Sequence, residues 1–393
     1  MTKRLTCDVV VIGAGMVGAA CALYAARAGL SVALVDRGPV AGGTTGSGEG
    51  NILVSDKEPG PELELALLST RLWTRLAAEP GVGEAIEYEA KGGVVVASSE
   101  EGRAALGEFA AGQREAGVDA RAVTADELHD LEPHLAPATA GGVFYPQDAQ
   151  VMPSLAAAQL LRMARRLGAE LRTGWTVTAV LRTAAGEVRG IRADRGEIHA
   201  PYVVNAAGTW GGDLAALAGT ALPVLPRRGF VLVTEPLPRM VRHKVYAADY
   251  VADVASGSAA LQTSPVVEGT AAGPILIGAS RERVGFDRSF SLPVMRALAA
   301  GATRLFPFLA DVSAMRAYIG FRPYLPDHLP AIGPDARVPG LIHACGHEGA
   351  GIGLATGTGH LIARTLTGTA PDLDLTPFRP HRFADSRSSE EAP

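Results

Sequence analysis

Three glycines and an acid near the start of the chain have the types and spacing to hold a dinucleotide. Gly13-x-Gly15-x-x-Gly18 follows an apolar, β-branched run at 8–12 and opens a small-residue segment, and Asp36 ends the next apolar run, 31–35. Gly13 lets the backbone turn, Gly15 removes a side chain where a pyrophosphate would approach, and Gly18 lets helix and strand pack closely. A helix starting at Met16 and Val17 offers free N–H groups and the positive end of its dipole to phosphate. The Asp36 carboxylate is placed to accept hydrogen bonds from both ribose hydroxyls of an adenosine and would repel a 2′-phosphate, and Arg37 follows it into the same edge.

Two further polar or glycine-rich stretches can reach such a ligand. Residues 39–51 are too rich in Gly, Ser and Thr for a strand or helix interior and can bring backbone N–H groups near Gly43 and Gly50, with the hydroxyls of Thr44, Thr45 and Ser47, to a pyrophosphate and ring; Asn51 and Ile52 complete that contact. The buried run 202–210 ends in Ala206, Ala207, Gly208 and Trp210, small residues that belong beside the first turn. Far downstream, Gly346, Gly349, Ala350, Gly351, Ile352 and Gly353 form a second glycine-rich turn before a second helix, again a site for partial negative charge.

These turns need elements to carry them. Helical patterns cover 62–78 and 100–116 around a strand at 93–97, and 141–148 is turn-rich. Pro153 suits the first position of a helix whose buried face is Leu155, Leu160, Leu161, Met163 and Leu167, with Arg162, Arg165 and Arg166 in solvent. Residues 175–181, which include Val177 as a further ligand contact, and 187–193 alternate as a hairpin turning near Gly186. From 222 to 318 short extended runs (229–234, 259–263, 273–278), broken by Pro and Gly and by one helix at 293–305, predict an antiparallel sheet. The chain then returns through a strand at 341–344 and a helix to 366. The pattern is α/β: a Rossmann-like parallel sheet with helices on both sides (1–85, 145–220 and 320–383, discontinuous), carrying an inserted α+β substrate domain built on an antiparallel sheet (86–144 and 221–319). Residues 384–393 are read as a disordered tail.

Composition narrows the partners. With 393 residues the chain suits two joined domains, and 47% hydrophobic with 20% charged residues is ordinary globular protein. A net charge of −5 gives no basic face for nucleic acid. Cys7, Cys21 and Cys345 have neither metal nor redox spacing, and no metal site is expected. The uncharged run 9–26 behind Lys3 and Arg4 has the length of a membrane span, but glycines at fingerprint spacing explain it better, and a cytoplasmic protein is expected.

The fingerprint with Asp36, the Asn205-Ala-Ala-Gly208 strand end, and the C-terminal Gly320-Phe-Arg-Pro turn with Gly346-His-Glu-Gly-Ala-Gly-Ile-Gly353 together resemble the D-amino acid oxidase, glycine oxidase and sarcosine oxidase family of FAD enzymes, over residues 5 to about 380. Within it, residues 43–52 and 346–349 look most like the FAD-bearing β subunits of hydroxyproline, proline and opine dehydrogenases. The resemblance implies FAD with its adenine near Asp36 and its isoalloxazine between the loops 44–52 and 346–353. It further implies that Arg322 clamps a substrate carboxylate, a bidentate charged pair contributing on the order of 1.5–3 kcal/mol. Sarcosine oxidases attach flavin through a cysteine where Gly320 stands here, so non-covalent FAD is expected; their loop lysine is replaced near Gly353, which speaks against a simple sarcosine site.

Hydride transfer from the carbon beside nitrogen to flavin N5 needs an oriented substrate with a neutral amine. In this reading the helix near Gly351 supplies positive potential to the flavin, His347 adds a charge, a hydrogen bond or only a loop cap, and Tyr250 offers a substrate-contacting hydroxyl. The expected activity is oxidation of an amino or imino acid, such as a D-amino acid, hydroxyproline, proline or an opine. The alternatives are a glycine- or sarcosine-type oxidase using O2, or an FAD-binding structural subunit of a heteromeric dehydrogenase. Any [2Fe-2S] centre or second flavin would lie on a partner subunit. Disulfide reductases need a cysteine pair that 40–60 lacks.

Overall fold

The structure is a computed structural model that describes residues 5–248 and 258–383. Tyr250 lies outside the described residues. Two compact units emerge: residues 1–46, 153–226 and 322–393 form one, and 47–152 with 227–321 form the other.

The first unit is built on a six-stranded sheet in the order Ala331–Pro334, Leu341–Cys345, Tyr202–Asn205, Val9–Ile12, Val32–Asp36, Glu170–Thr173. All neighbours are parallel except the first pair. The central strands are continuous runs of buried Val and Ile because helices cover the sheet. The helix Met16–Arg27 packs against Ala355–Leu366 and against Pro153–Arg166. These contacts need small residues: a Cβ on Gly359 would lie 2.6 Å from the Ala20 carbonyl carbon.

That requirement corrects the expected face of the Pro153–Arg166 helix. Leu155 and Leu167 are 42% and 52% exposed, and the inward stripe is Ala156, Ala157, Leu160, Leu161 and Ala164. Alanines let it approach its equally small-faced neighbour, while Leu167 falls past the helix end. The hairpin Val177–Arg182 and Val188–Ala193 forms as expected, and joins a smaller four-stranded sheet through Gly196–His199 and Leu5–Thr6, two strands the sequence pattern did not announce.

The second unit carries an eight-stranded sheet ordered Ala314–Tyr324, Leu225–Thr234, Ile275–Arg281, Gln262–Gly269, Lys244–Ala247, Gly93–Ala97, Gly141–Tyr145, Arg121–Val123. It is not wholly antiparallel, since Lys244–Ala247 runs parallel to Gly93–Ala97. The helix Leu292–Leu305 covers it, packing Val294, Leu298 and Ala302 into a core with Phe230, Val245, Val267 and Ile277. Each of the larger side chains, from valine to phenylalanine, contributes roughly 1.5–3 kcal/mol by its burial.

Residues 47–85 and 145–152, expected with the parallel sheet, group instead with this second unit. The reason is a set of buried bonds. Asn51–Ile52 pairs with Ala149–Gln150, Asp148 accepts from the Val54 N–H at 2.8 Å, and Gln113 Nε2 donates to the carbonyls of Val54, Ser55 and Lys57. Among the described residues no helix is long and apolar enough to cross a membrane, and no group of His, Cys, Asp or Glu could hold a metal ion.

Candidate functional site

In the first unit, four parallel strands end at one edge of the sheet and deliver four of the expected segments there. Val9–Ile12 leads into Gly13, Val32–Asp36 into Arg37, Tyr202–Asn205 into Ala206, and Leu341–Cys345 into Gly346. The carboxyl edge of a parallel sheet is where ligands of such folds sit. Two glycine turns more than three hundred residues apart in sequence thus converge within one unit.

The first turn is shaped for close approach. Gly13 has φ +115°, and a Cβ there would lie 2.2 Å from the Ala206 carbonyl oxygen. A Cβ on Gly18 would lie 1.9 Å from the Gly13 carbonyl oxygen. The helix Met16–Arg27 begins at Gly15 without any side-chain cap from that residue. Its Met16 N–H donates to Thr45 Oγ1 at 2.9 Å, which leaves the Thr45 hydroxyl hydrogen to point onward, while Val17 and Gly18 complete the first turn.

Asp36 is already engaged through both oxygens. Oδ2 accepts from the Ala14 N–H at 2.7 Å and Oδ1 from the Gly38 N–H at 2.6 Å. A carboxylate has about four acceptor positions, so two remain for a pair of ribose hydroxyls. The Arg37 guanidinium stacks 4.1 Å from the Trp210 ring centre, Gly43 lies beside that same indole, and the hydroxyls of Thr44 and Thr209 meet at 3.3 Å. Val177 packs in the cluster of Ile12, Val35 and Ala207. Gly208, at φ +56°, opens the 3-10 turn Gly208–Trp210.

The second turn differs from expectation at its helix. Gly346 sits at φ +83°, a conformation that favours glycine, and a Cβ there would lie 2.1 Å from Leu325 Cδ1. A 3-10 turn, Glu348–Ala350, follows it, and the helix Ala355–Leu366 starts after Gly351, Ile352 and Gly353 rather than near Gly351. Arg322 lies alongside: a Cβ on Gly349 would sit 3.6 Å from its Nε. A Cβ at 349 would meet the Arg322 side chain in ordinary van der Waals contact.

His347 does not bring a charge. It is fully buried, burial holds its ring down at about 3, and Nε2 bonds Thr358 Oγ1 at 2.9 Å. Since the Thr358 hydroxyl donates to the Leu354 carbonyl, the ring must donate. His347 fastens the turn to the helix it precedes, which is the loop-capping role. Cys345 is buried against Gly211, with its thiol pushed up to about 12 by burial, and is no nucleophile toward a ring.

The remaining loop residues fall in the second unit. A Cβ on Gly50 would overlap the Val151 carbonyl oxygen at 1.7 Å, so that glycine is fixed by packing, and Ile52 is fully buried in its short strand. Ser47 lies against Gly320. Asn51 Oδ1 accepts from Lys244 Nζ, which also pairs with Glu268 at 2.8 Å, both ions being buried. Glu49 joins the same group, 3.5 Å from Asn51 Nδ2. Sequence reasoning missed Glu49, Lys244 and Glu268. A lysine inside the apolar strand Lys244-Val-Tyr-Ala was the available signal, because a buried ammonium must have a partner.

The group these residues could hold follows from the cradle: a helix start led by Gly15, an acid with acceptor positions left over, and two glycine turns at one sheet edge would fit a dinucleotide. A family profile described as FAD dependent oxidoreductase matches residues 8–365. The chain belongs to that family, the DAO flavoenzymes. This FAD-dependent oxidoreductase is 32% identical to hydrogen cyanide synthase subunit HcnC of Pseudomonas aeruginosa, over 96% of each chain. It is similar to the solved glycine oxidase of Geobacillus kaustophilus, with a TM-score of 0.86 and 28% identity over 96% of this chain and 99% of that one. L-proline dehydrogenase of P. horikoshii shares the fold, with a TM-score of 0.88 at 23% identity over 98% and 99% of the two chains. As a member of that family the chain is an FAD-dependent oxidoreductase.

Proposed function

We propose that the chain oxidises an amino or imino acid at the carbon beside nitrogen, with non-covalently held FAD. When bound, FAD supplies the two-electron acceptor for a hydride from that carbon. Arg322 takes the substrate carboxylate as a directional guanidinium pair, which fixes the angle of the carbon–hydrogen bond. The start of the helix Ala355–Leu366 offers positive potential to the flavin edge, a task that neutral His347 cannot perform. The imine product leaves to hydrolyse or cyclise. Gly13, Gly15, Gly18, Asp36 and Ala206 hold the nucleotide end, and Gly346, Gly349 and Gly353 the ring end.

The single observation that supports this reading is Arg322 lying against Gly349, in the turn that ends at the same sheet edge as the first glycine turn. A subunit that binds FAD only for its own stability would need no carboxylate clamp in that place. The substrates we favour are secondary or D-amino acids, hydroxyproline, proline or an opine among them.

An anaerobic screen of D-, L- and N-alkyl amino acids, scored by bleaching of the flavin band, tests the proposal. Bleaching by at least one acid supports it; a yellow protein that none of them bleaches supports the structural-subunit alternative. Admission of air then assigns the acceptor: rapid reoxidation points to an O2-using oxidase of the glycine or sarcosine type, and persistent bleaching to a partner subunit carrying a [2Fe-2S] centre or a second flavin.

A further inference from the structure

Behind the sheet edge lies a buried polar chain that the chemistry above does not use. Asp335, 2% exposed, accepts from Arg337 Nη2 at 2.7 Å and from the Thr220 hydroxyl at 2.9 Å, and its Oδ2 is 3.2 Å from Nε2 of the fully buried His343. His343 Nδ1 in turn is 3.1 Å from Asn205 Nδ2. Asn205 donates from Nδ2 to the Gly211 carbonyl at 2.8 Å and accepts at Oδ1 from the Ala207 N–H at 3.3 Å.

The donors and acceptors fix one arrangement. An Asp335 carboxylate can only accept, and although burial by itself would raise its pKa, the bonds from His343, Arg337 and Thr220 hold it well below the usual carboxylate range. His343 Nε2 therefore carries a hydrogen. Asn205 cannot be flipped, because its oxygen would then face the Gly211 carbonyl and its amide the Ala207 N–H. Its Nδ2 must donate to His343 Nδ1, which has to be bare.

The position of this pair gives the chain its purpose. Asn205 and His343 are register partners on adjacent parallel strands, one residue before Ala206 and three before Gly346. Asn205 holds the Ala207 N–H directly, and the Ala206 carbonyl is the atom that Gly13 closes upon. We propose that His343, held in its Nε2–H tautomer by Asp335, is a positioning residue that sets the Asn205–Gly208 turn, and with it the backbone of the FAD cradle. It touches neither cofactor nor substrate; it acts through Asn205.

Fluorescence titration of apoprotein with FAD tests this. His343→Phe keeps the bulk and removes both bonds, and should raise the FAD dissociation constant at least tenfold. His343→Gln can donate toward Asp335 and accept from Asn205, and should stay within about threefold of the wild type, a rescue that mere filling of space would not give. A wild-type constant in His343→Phe, or a constant in His343→Gln as weak as in His343→Phe, overturns the proposal. Should His343→Phe fail to fold, Asn205→Ser carries the same expected loss and the same overturning result. Nitrogen NMR of 15N-histidine wild-type protein gives a readout independent of affinity: the His343 ring must be protonated at Nε2 and bare at Nδ1, and any other state overturns the assignment.

Discussion

Asp36→Asn is the substitution that asks most of the cradle's geometry, since it changes no volume and removes only one acceptor and a charge. In the wild type each carboxylate oxygen already accepts one backbone N–H, from Ala14 and from Gly38. Asparagine can satisfy one of them and must turn its amide toward the other, leaving a donor facing a donor, which costs about 1–3 kcal/mol where the group is buried, as Ala14 is. Of the two ribose bonds, one changes from charged to neutral and the other loses its acceptor, because an amide nitrogen only donates, a loss of about 1 kcal/mol or more each. The ribose share alone, about 2 kcal/mol, corresponds to a roughly 30-fold weaker FAD constant. Apoprotein prepared at neutral pH and titrated with FAD by fluorescence quenching reads this directly, and the apoprotein should also melt earlier than wild type. Binding within twofold of wild type would refute the ribose contact and the lone-pair accounting behind it.

Arg322→Ala should raise the apparent substrate constant more than tenfold, at least about 1.4 kcal/mol, with flavin content unchanged; an unaltered constant removes Arg322 from the site. Gly18→Ala places a Cβ 1.9 Å from the Gly13 carbonyl oxygen, so protein leaving gel filtration should carry little flavin, and a full complement would show that the turn can shift without cost. His347 stays neutral in the fold down to about 3 while an unfolded histidine gains a proton below about 6.5, so its contribution to stability falls as pH drops through that window. His347→Gln, which keeps the donor to Thr358 and cannot protonate, should gain about 2 kcal/mol on wild type between pH 8 and pH 5. A difference in melting that does not change with pH would contradict the neutral, buried ring.

The sequence alone determined what local chemistry dictates. Gly13, Gly15 and Gly18 at fixed spacing between a buried strand and a small-residue helix have few structural solutions, so the first turn and Asp36 could be read directly. The C-terminal glycine turn was legible for the same reason, and its family resemblance singled out Arg322 as the proposed carboxylate clamp. Tertiary structure decided what depends on neighbours far away in sequence. The buried face of Pro153–Arg166 was set by how closely a small-faced partner helix could approach, which side-chain periodicity does not encode. His347 is kept neutral by burial, and the hydroxyl it bonds, Thr358, is eleven positions on. The stretch 47–85 joined the second unit because Asp148 and Gln113 bind its backbone, and the Asp335–His343–Asn205 chain exists only once adjacent parallel strands fall into register. Strand order and register are long-range choices, and a single sequence states the parts that make them without stating the choice.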